Sequence, residues 1–583
     1  MFRKLSLLKH LIPSFHRPNP LLLNLKNPLF SSSFKTITAL FPVISSKQFS
    51  SFQKSSSYNN NYQEDLSLLT ETVSTDDVIR YQAAIEKYTT SKNLNDDETY
   101  DILDLLQKIA LAYNSVGGVE KAESYLLEAS DFSKGLEMKF PLEIVSINYM
   151  LANLYLEKED LLAAENHLAQ VKQVCKEAEV SSELENFNVQ ALELLGRVYV
   201  KQDKFEEALQ EFNKALEQID KVSEEDRSNF LTSIYQEMAM IYTCNRDFEK
   251  ALEYWKKGLD LTIETYGEGD HMMEFYYSNI ANILLEMKEA TAAQFYANKA
   301  LESARNSYEE ESLEIAWNQQ LLGKIYQMTG EGDKALESYL EVAQIFSKEP
   351  EQYPNELTSA YLEIIKLYNI KGKEQEAHEV FNRGLKALSK AIGEISGSVG
   401  ELYMGYASVL KEQKEKEGQA EELYRKALSL YEDLEPRNKI TISDIHYELG
   451  ALTFNRGDLE GALKHYKECE KLSFEASKDP LRYEILYNLL GEIYLKLKDY
   501  EESVNYFQKV LDLCEAQDPT TKAYLGTHYI NLGRVYEEKG MFKNALEAYE
   551  KSLEIHETRF GPTHSNTEMS KTYIQDISKK INT

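Results

Sequence analysis

Apolar and polar residues alternate along this chain in steps of three and four, the spacing that gathers side chains on one stripe of an α-helix. The clearest stretch reads Leu195-Gly196, Tyr199, Ala208, Phe212, Ala215. A small residue is followed by an aromatic or aliphatic three on, Ala twelve on, an aromatic or large apolar residue sixteen on, and a small or apolar residue nineteen on. Gly323, Tyr326, Ala335, Tyr339, Val342 repeats it, as does Gly533, Tyr536, Ala545, Tyr549, Ser552. With the first small residue as a marker, the series runs Ala110, Ala152, Gly196, Ala239, Ala281, Gly323, Ile365, Ala407, Gly450, Gly491, Gly533; Ile365 is its bulky member. Successive markers stand 42, 44, 43, 42, 42, 42, 42, 43, 41 and 42 residues apart.

Each interval predicts two helices. One carries Leu195, Tyr199 and their counterparts, the other Ala208, Phe212 and Ala215. The small residues mark where the two backbones cross closely, and the aromatic fills the space beside them. One such hairpin cannot bury its own apolar face, so neighbouring copies stack into a continuous core. Pro141, Pro354 and Pro480 each fall eleven residues before a marker and separate hairpins. Turns within hairpins are predicted at Val116-Gly117-Gly118, Asn245-Arg246-Asp247, Thr329-Gly330-Glu331-Gly332-Asp333 and Asn455-Arg456-Gly457-Asp458. The expected fold class is all-α, an α-solenoid of about eleven hairpins. The expected organisation is a transit peptide (1–57), a polar linker (58–75), an N-terminal capping helix and linker (76–97, the helix over Asp76 to Thr89), eleven repeats of about 42 residues (98–564) and a C-terminal capping helix (565–583).

The Leu-Gly-x-x-Tyr, Ala, Phe, Ala signature resembles the tetratricopeptide repeat, and the 42-residue period makes each helix about one turn longer than in the usual 34-residue form. This long version resembles the repeats of kinesin light chains and their plant relatives. Tyr266-Gly267-Glu268-Gly269-Asp270-His271 and Phe560-Gly561-Pro562-Thr563-His564 are similar to the Leu-Gly-Pro-Asp-His-Pro linker of that group. The resemblance covers roughly residues 98–568 and implies a right-handed superhelix whose first helices line a concave groove for peptides. No heptad coiled coil precedes the repeats, so the motor-adaptor role of kinesin light chains does not follow with the fold.

Charge changes the picture at the N-terminus. Residues 1–63 hold eight Lys or Arg and no Asp or Glu, which leaves 57 basic against 96 acidic residues in the rest, a formal charge of −39. That sign repels nucleic acid and anionic lipid and favours basic partners. No run of eighteen apolar residues occurs, so membrane insertion is not expected. The acid-free start, with twelve Ser in residues 1–57 and an imperfectly amphipathic stretch from Phe2 to Ile12, reads as an organellar presequence. Lys47-Gln48-Phe49-Ser50-Ser51 resembles plant-type mitochondrial processing sites, with Lys where that pattern usually has Arg. The expected compartment is the mitochondrial matrix, with plastid stroma as the alternative. Cys175, Cys244, Cys469 and Cys514 lie far apart with no CxxC, which suits buried free thiols in a reducing compartment.

If the resemblance holds, the residue after each marker faces the groove: Leu111, Asn153, Arg197, Met240, Asn282, Lys324, Lys366, Ser408, Ala451, Glu492 and Arg534. Arg197, Lys324 and Lys366 are candidates to hold carboxylates of an acidic peptide, with Arg534 the fourth cation of the series. Asn153 and Asn282 are candidates to hydrogen-bond a bound backbone. Tyr149 and Tyr447, three before a marker, and Phe275 and Trp317, six before, are candidate apolar anchors. Each has a plainer reading. Lys366 has Glu363 three residues away to pair with, and the aromatics are equally suited to packing between helices.

No GxxxxGK[ST], GxGxxG, HExxH or GxSxG occurs. His465 and Cys469 stand four apart on a helix, but Cys469 occupies a packing position and no further ligand is near it in sequence. The expectation is no metal, no cofactor, no small-molecule substrate and no enzymatic activity, because no interval has room for an inserted catalytic module. The expected function is a protein-binding scaffold or assembly adaptor inside an organelle. The alternatives are a permanent structural subunit of a large organellar complex and a kinesin light chain-related cytoplasmic adaptor.

Overall fold

The computed structural model describes residues 83–84, 86–88, 94–115, 118–269, 272–434, 438–476, 480–515 and 524–582. The expected transit peptide and polar linker lie outside the described residues, as do most of the helix expected over Asp76 to Thr89, the Val116-Gly117 turn and Asp270-His271. The chain divides into two compact units, residues 1–310 and 311–583. The described residues of both are helical, and no strand occurs among them.

The first unit holds five hairpins: α1 (Asp96–Ser115) with α2 (Val119–Phe132), α3 (Pro141–Glu157) with α4 (Leu161–Glu177), α5 (Ser182–Lys201) with α6 (Phe205–Glu217), α7 (Glu224–Cys244) with α8 (Phe248–Tyr266), and α9 (Met272–Glu286) with α10 (Ala290–Ser307). In the second unit, α11 (Leu313–Met328) pairs with α12 (Gly332–Phe346), α13 (Pro354–Ile370) with α14 (Glu374–Ile392), α15 (Gly397–Leu410) with α16 (Glu417–Asp433), α17 (Lys439–Asn455) with α18 (Leu459–Ala476), α19 (Pro480–Lys496) with α20 (Tyr500–Glu515), and α21 (Leu525–Glu538) with α22 (Phe542–Phe560). A final helix, α23 (Ser565–Asn582), packs Ile577 and Tyr573 against Tyr549 and Ala545 of the last hairpin. At the other end Ala84 and Tyr88 pack on the first hairpin, with the Tyr88 ring edge-on to Phe132 at 5.1 Å.

Every marker sits in a first helix and is buried. Where it is Gly, the crossing is tight enough to be specific. A Cβ built on Gly196 would lie 2.5 Å from the Phe212 ring, on Gly323 2.8 Å from Tyr339, and on Gly533 2.5 Å from Tyr549. In each case the ring belongs to the residue sixteen on. Where the marker is Ala the residue sixteen on varies in size, from Leu126 and Leu168 after Ala110 and Ala152 to Trp255 after Ala239 and Ala297 after Ala281, all of them buried. The seventh hairpin exchanges the roles: Ile365 is large, and the small residue is Gly384, whose absent Cβ makes room for Tyr361 at 2.8 Å. The eighth shifts by one residue. A 3₁₀ turn at Lys414–Lys416 lengthens its connection, so the buried second-helix series becomes Ala420, Tyr424, Ala427.

The turns inside hairpins also repeat. Seven residues after nine of the markers the backbone is left-handed: at Glu159, Asp203, Arg246, Lys288 and Lys498, and at Gly330, Gly372, Gly457 and Gly540. The residue after it returns its N–H to the carbonyl three past the marker, as in Lys204 N to Tyr199 O at 2.9 Å, closing a Schellman cap. Asp160 and Asp247 then cap the second helix, each carboxylate accepting an N–H three residues on. Pro141, Pro354 and Pro480 each occupy the first position of a first helix, where the missing N–H costs nothing.

Gly196→Leu, which drives a side chain into Phe212, is expected to cost about 1–3 kcal/mol in denaturant unfolding. Pairing it with Phe212→Ala should recover part of the loss, and no loss at all would displace the crossing from Gly196. Gly330→Ala is expected to lose about 1 kcal/mol, the cost of a side chain in the left-handed region. Lys288→Gly should lose nothing; a loss there of the size usual for a mid-helix glycine would place Lys288 inside the helix.

Candidate functional site

One residue past each buried marker, the helix has turned about 100° and the side chain leaves the core stripe. All eleven residues at this position are partly exposed. In the first unit these are Leu111, Asn153, Arg197, Met240 and Asn282, and in the second Lys324, Lys366, Ser408, Ala451, Glu492 and Arg534. The first-helix face of each unit therefore carries a regular row of side chains on a packed scaffold.

Arg197 sits among carboxylates of its own unit. Its Nη1 lies 3.9 Å from Glu193 Oε1 one turn earlier, and its Nε lies 3.7 Å from Glu237 Oε1 on α7. Glu193 is buried and accepts a hydrogen bond from Ser233 Oγ at 2.7 Å. Burial pushes the Glu237 carboxyl up to about 7, against the pull of Arg197 and with the push of Glu193. Burial also raises Glu157 above the usual carboxylate range, opposed by Arg197, and takes the Tyr149 phenol up to about 12 with Glu193 adding to it. One guanidinium thus serves three carboxylates, and this patch is net acidic whenever Glu237 is ionised.

The other candidates divide between engaged polar groups and packing. Asn153 donates its amide to Tyr149 O at 3.1 Å, and Asn282 to Ser278 O at 2.8 Å, each four residues back on its own helix. Lys366 pairs with Glu363 at 2.7 Å, the neighbour the sequence offered it, and Glu363 also accepts from Gln327 of the preceding hairpin at 2.8 Å. Arg534 reaches Asn531 at 3.4 Å, and Asn531 donates to Asn488 of the preceding hairpin at 3.0 Å. Lys324 and Trp317 are partly exposed on α11, and neither is without a partner. Tyr149 packs edge-on against Phe187 of the next hairpin at 6.0 Å, Tyr447 against Tyr466 at 5.7 Å, and Phe275 against the buried Trp255 at 5.5 Å. These three rings bind hairpin to hairpin or helix to helix, the plainer of the two readings. His465 and Cys469 part company: His465 Nδ1 lies 3.0 Å from His446 Nδ1, whereas Cys469 is buried against Ser443.

Of the partners, Glu363 is named by the sequence, whereas Glu193, Glu237 and Asn531 are not. Glu237 and Asn531, like Glu363, stand two residues before a marker and Glu193 three before, so polar residues of the same periodicity point to them.

The geometry defines a class of protein, an all-α repeat whose hairpins are copies of one packing unit and whose first helices display one side chain each. A family model described as Tetratricopeptide repeat matches residues 187–261, 230–306, 271–348, 441–516 and 481–558. The chain carries tetratricopeptide repeats, and kinesin light chain-related proteins are among its homologues. Protein KINESIN LIGHT CHAIN-RELATED 3 of Arabidopsis thaliana is 24% identical over 439 residues, 67% of this chain and 66% of that protein. Protein KINESIN LIGHT CHAIN-RELATED 1 of the same plant is 21% identical over 55% of this chain and 59% of its own length. The chain thus spans just under two thirds of the first relative's length and less of the second's. Among solved structures, BtubC (BKLC) from P. vanneervenii is 20% identical, with a TM-score of 0.35 over 40% of this chain and 91% of that one. Tetratricopeptide repeats generally mediate protein–protein interaction. No helix among the described residues is long and apolar enough to cross a membrane.

Glu237 holds its proton more tightly folded than unfolded, so its contribution to stability is present below about 4.5 and is lost as pH rises through about 7. The unfolding free energy of Glu237→Gln relative to wild type is expected to grow by about 1–3 kcal/mol between pH 5 and pH 8. A pH-independent difference would mean that Arg197 keeps Glu237 ionised throughout.

Proposed function

We propose that this chain is a non-catalytic scaffold or assembly adaptor that holds protein partners on its first-helix face and works inside an organelle, the mitochondrial matrix before the plastid stroma. The observation that carries the binding surface is the row of eleven partly exposed residues, each set by a buried marker one residue earlier. Side chains held on packed helices cost little to order on binding; three of the eleven are apolar (Leu111, Met240, Ala451) and the other eight polar or charged. Because Arg197 and Lys366 are already paired within the chain, an acidic peptide would have to displace Glu193 and Glu237 or Glu363 to use them. The acidic balance of the chain favours partners with basic segments over acidic ones, at first-helix patches such as that around Glu193 and Glu237. The organellar reading rests on the acid-free, Ser-rich composition of residues 1–57.

Proximity labelling from the full-length protein in its native host is the decisive experiment, because it reports compartment and neighbours together. Labelled matrix proteins are expected; a labelled set confined to the cytosol would favour the kinesin light chain-related adaptor instead. Co-migration of nearly all the protein with one large complex on native gels would make it a permanent subunit. For the surface itself, Met240→Arg with Asn282→Arg is expected to lower capture of the labelled partner about tenfold or more, with helicity unchanged. Leu162→Arg, on an exposed position of a second helix, should leave capture as it is. Equal capture by all three proteins would remove the first-helix face as the binding surface.

A further inference from the structure

Three chemically different donors meet in the second unit at a place no sequence motif marks. Glu484 lies in the first turns of α19, Cys514 near the end of α20, and His528 in the first turn of α21. One ligand atom from each lies within 4.8 Å of the other two, and all three residues are buried. His528 Nε2 and Glu484 Oε1 are 3.0 Å apart. The other imidazole nitrogen, Nδ1, is buried with no hydrogen-bond partner, on a side chain only 9% exposed. A buried carboxylate–imidazole bond that merely ties α19 to α21 would account for Nε2. It leaves the Nδ1 atom uncompensated, at the desolvation cost of an orphaned polar group.

The neighbouring hairpin shows what the lattice puts there otherwise. Glu484 stands seven before its marker and Cys514 twenty-three after it. The equivalent pair one hairpin earlier is Ser443 and Ser473, whose hydroxyls bond each other at 2.7 Å. One hairpin later it is Gly526 and His556, where the ring occupies the space a Cβ would need. The serines satisfy each other, whereas His556 fills its crossing with a ring whose Nε2 is also buried without a partner. Elsewhere the same two places hold Val145 with Cys175 and the buried Glu274 with Ala304, so an acid or a thiol occurs there singly. At the tenth hairpin the same crossing holds an acid and a thiol, and the next first helix adds an imidazole.

We propose that Glu484, Cys514 and His528 form a binding site for a zinc ion. Sulfur, nitrogen and oxygen donors together suit zinc, whereas magnesium and calcium prefer all-oxygen sets. Donors bound at about 2.0–2.3 Å around a tetrahedral ion stand about 3.3–3.8 Å from one another, so a pair at the 4.8 Å limit has to close in by about 1–1.5 Å. Binding takes Cys514 as thiolate and releases its proton to solvent. It joins three helices of two successive hairpins and leaves one coordination position for a ligand from outside these residues.

The test uses the full-length protein, zinc alone, and cobalt as its spectroscopic substitute. The expected result is one equivalent of zinc retained through dialysis by way of these residues, a rise in melting temperature with zinc, and a thiolate-to-cobalt charge-transfer band. Cys514→Ser should abolish the band, and Cys514→Ser, His528→Gln and Glu484→Gln should each weaken zinc binding about tenfold or more. Cys244→Ser, in the other unit, should keep both. Variants are compared only where circular dichroism shows native helicity, and the wild type decides if none folds. A wild type that holds no zinc and gives no cobalt–thiolate band overturns the site. So do folded variants that bind as wild type does. Variants that lose stability without any zinc response in the wild type would reduce the cluster to a structural hydrogen bond.

Discussion

The crossing of two helices at a small residue, with a ring from sixteen residues on filling the space beside it, is the interaction on which the rest of this molecule depends. At Gly196, Gly323 and Gly533 the facing ring stands where a Cβ would have to go, so the helices of these hairpins cannot approach as they do with any larger residue. That approach fixes the rotation of the first helix. Rotation in turn decides that the next residue emerges from the core, and repetition turns the emerging residues into a row. A surface row made this way inherits its regularity from packing, which explains why hairpins seven and eight keep the row while changing how the core is filled. Ile365 with Gly384 reverses which helix supplies the bulk, and the 3₁₀ turn at Lys414–Lys416 shifts a whole helix by one residue. Lys366 and Ser408 still emerge.

Charge on that row is organised by the same lattice. Residues two or three before a marker lie on the side of a first helix nearest the neighbouring hairpin, and several are acids or amides. Glu237 meets Arg197, Gln327 meets Glu363, and Asn531 meets Asn488, each across successive first helices. These contacts are partly exposed and individually modest. Their effect on recognition is larger than their effect on stability, because a partner must match or replace a pair already satisfied. In a chain with 96 acidic residues, Arg197 and Lys366 of this row already have carboxylates of the same chain beside them.

Most of the fold was legible because one pattern recurs eleven times and each copy votes for the same register. Helix pairs, the Gly–aromatic crossings and the partial exposure of the residue after each marker all follow from 3.6-residue geometry applied to that pattern. The candidate anchors were less legible for a definite reason. Tyr149 and Phe275 lie at positions that face either a ligand or the adjacent hairpin, and the contacts with Phe187 and Trp255 are visible only in three dimensions. The left-handed turn residues escaped where they are not glycine: Glu159, Asp203 and Lys288 look like ordinary helix formers, and the Schellman cap that demands their conformation is visible only as backbone geometry. The expected presequence rests on composition alone and lies outside the described residues.

A repeat protein has few ways to build something singular, because every position has a counterpart in the neighbouring copies. Substitution at a conserved address is the economical route. The crossing seven before and twenty-three after each marker is one such address. It holds Ser443 with Ser473 in one hairpin, a glycine beneath Tyr431 in the shifted eighth, and Gly526 beneath His556 in the last. Each fills a close approach near the hairpin's open end without pairing an acid with a thiol, although Glu274 and Cys175 hold the same places singly in the fifth and second hairpins. Glu484 with Cys514 is that pair. It brings ionisable donors to a buried point and draws His528 from the next hairpin, at the expense of an orphaned ring nitrogen. What sets the tenth hairpin apart is the combination: an acid or a thiol recurs singly at this address, in Glu274 and Cys175, but among the described residues only here do both meet an imidazole.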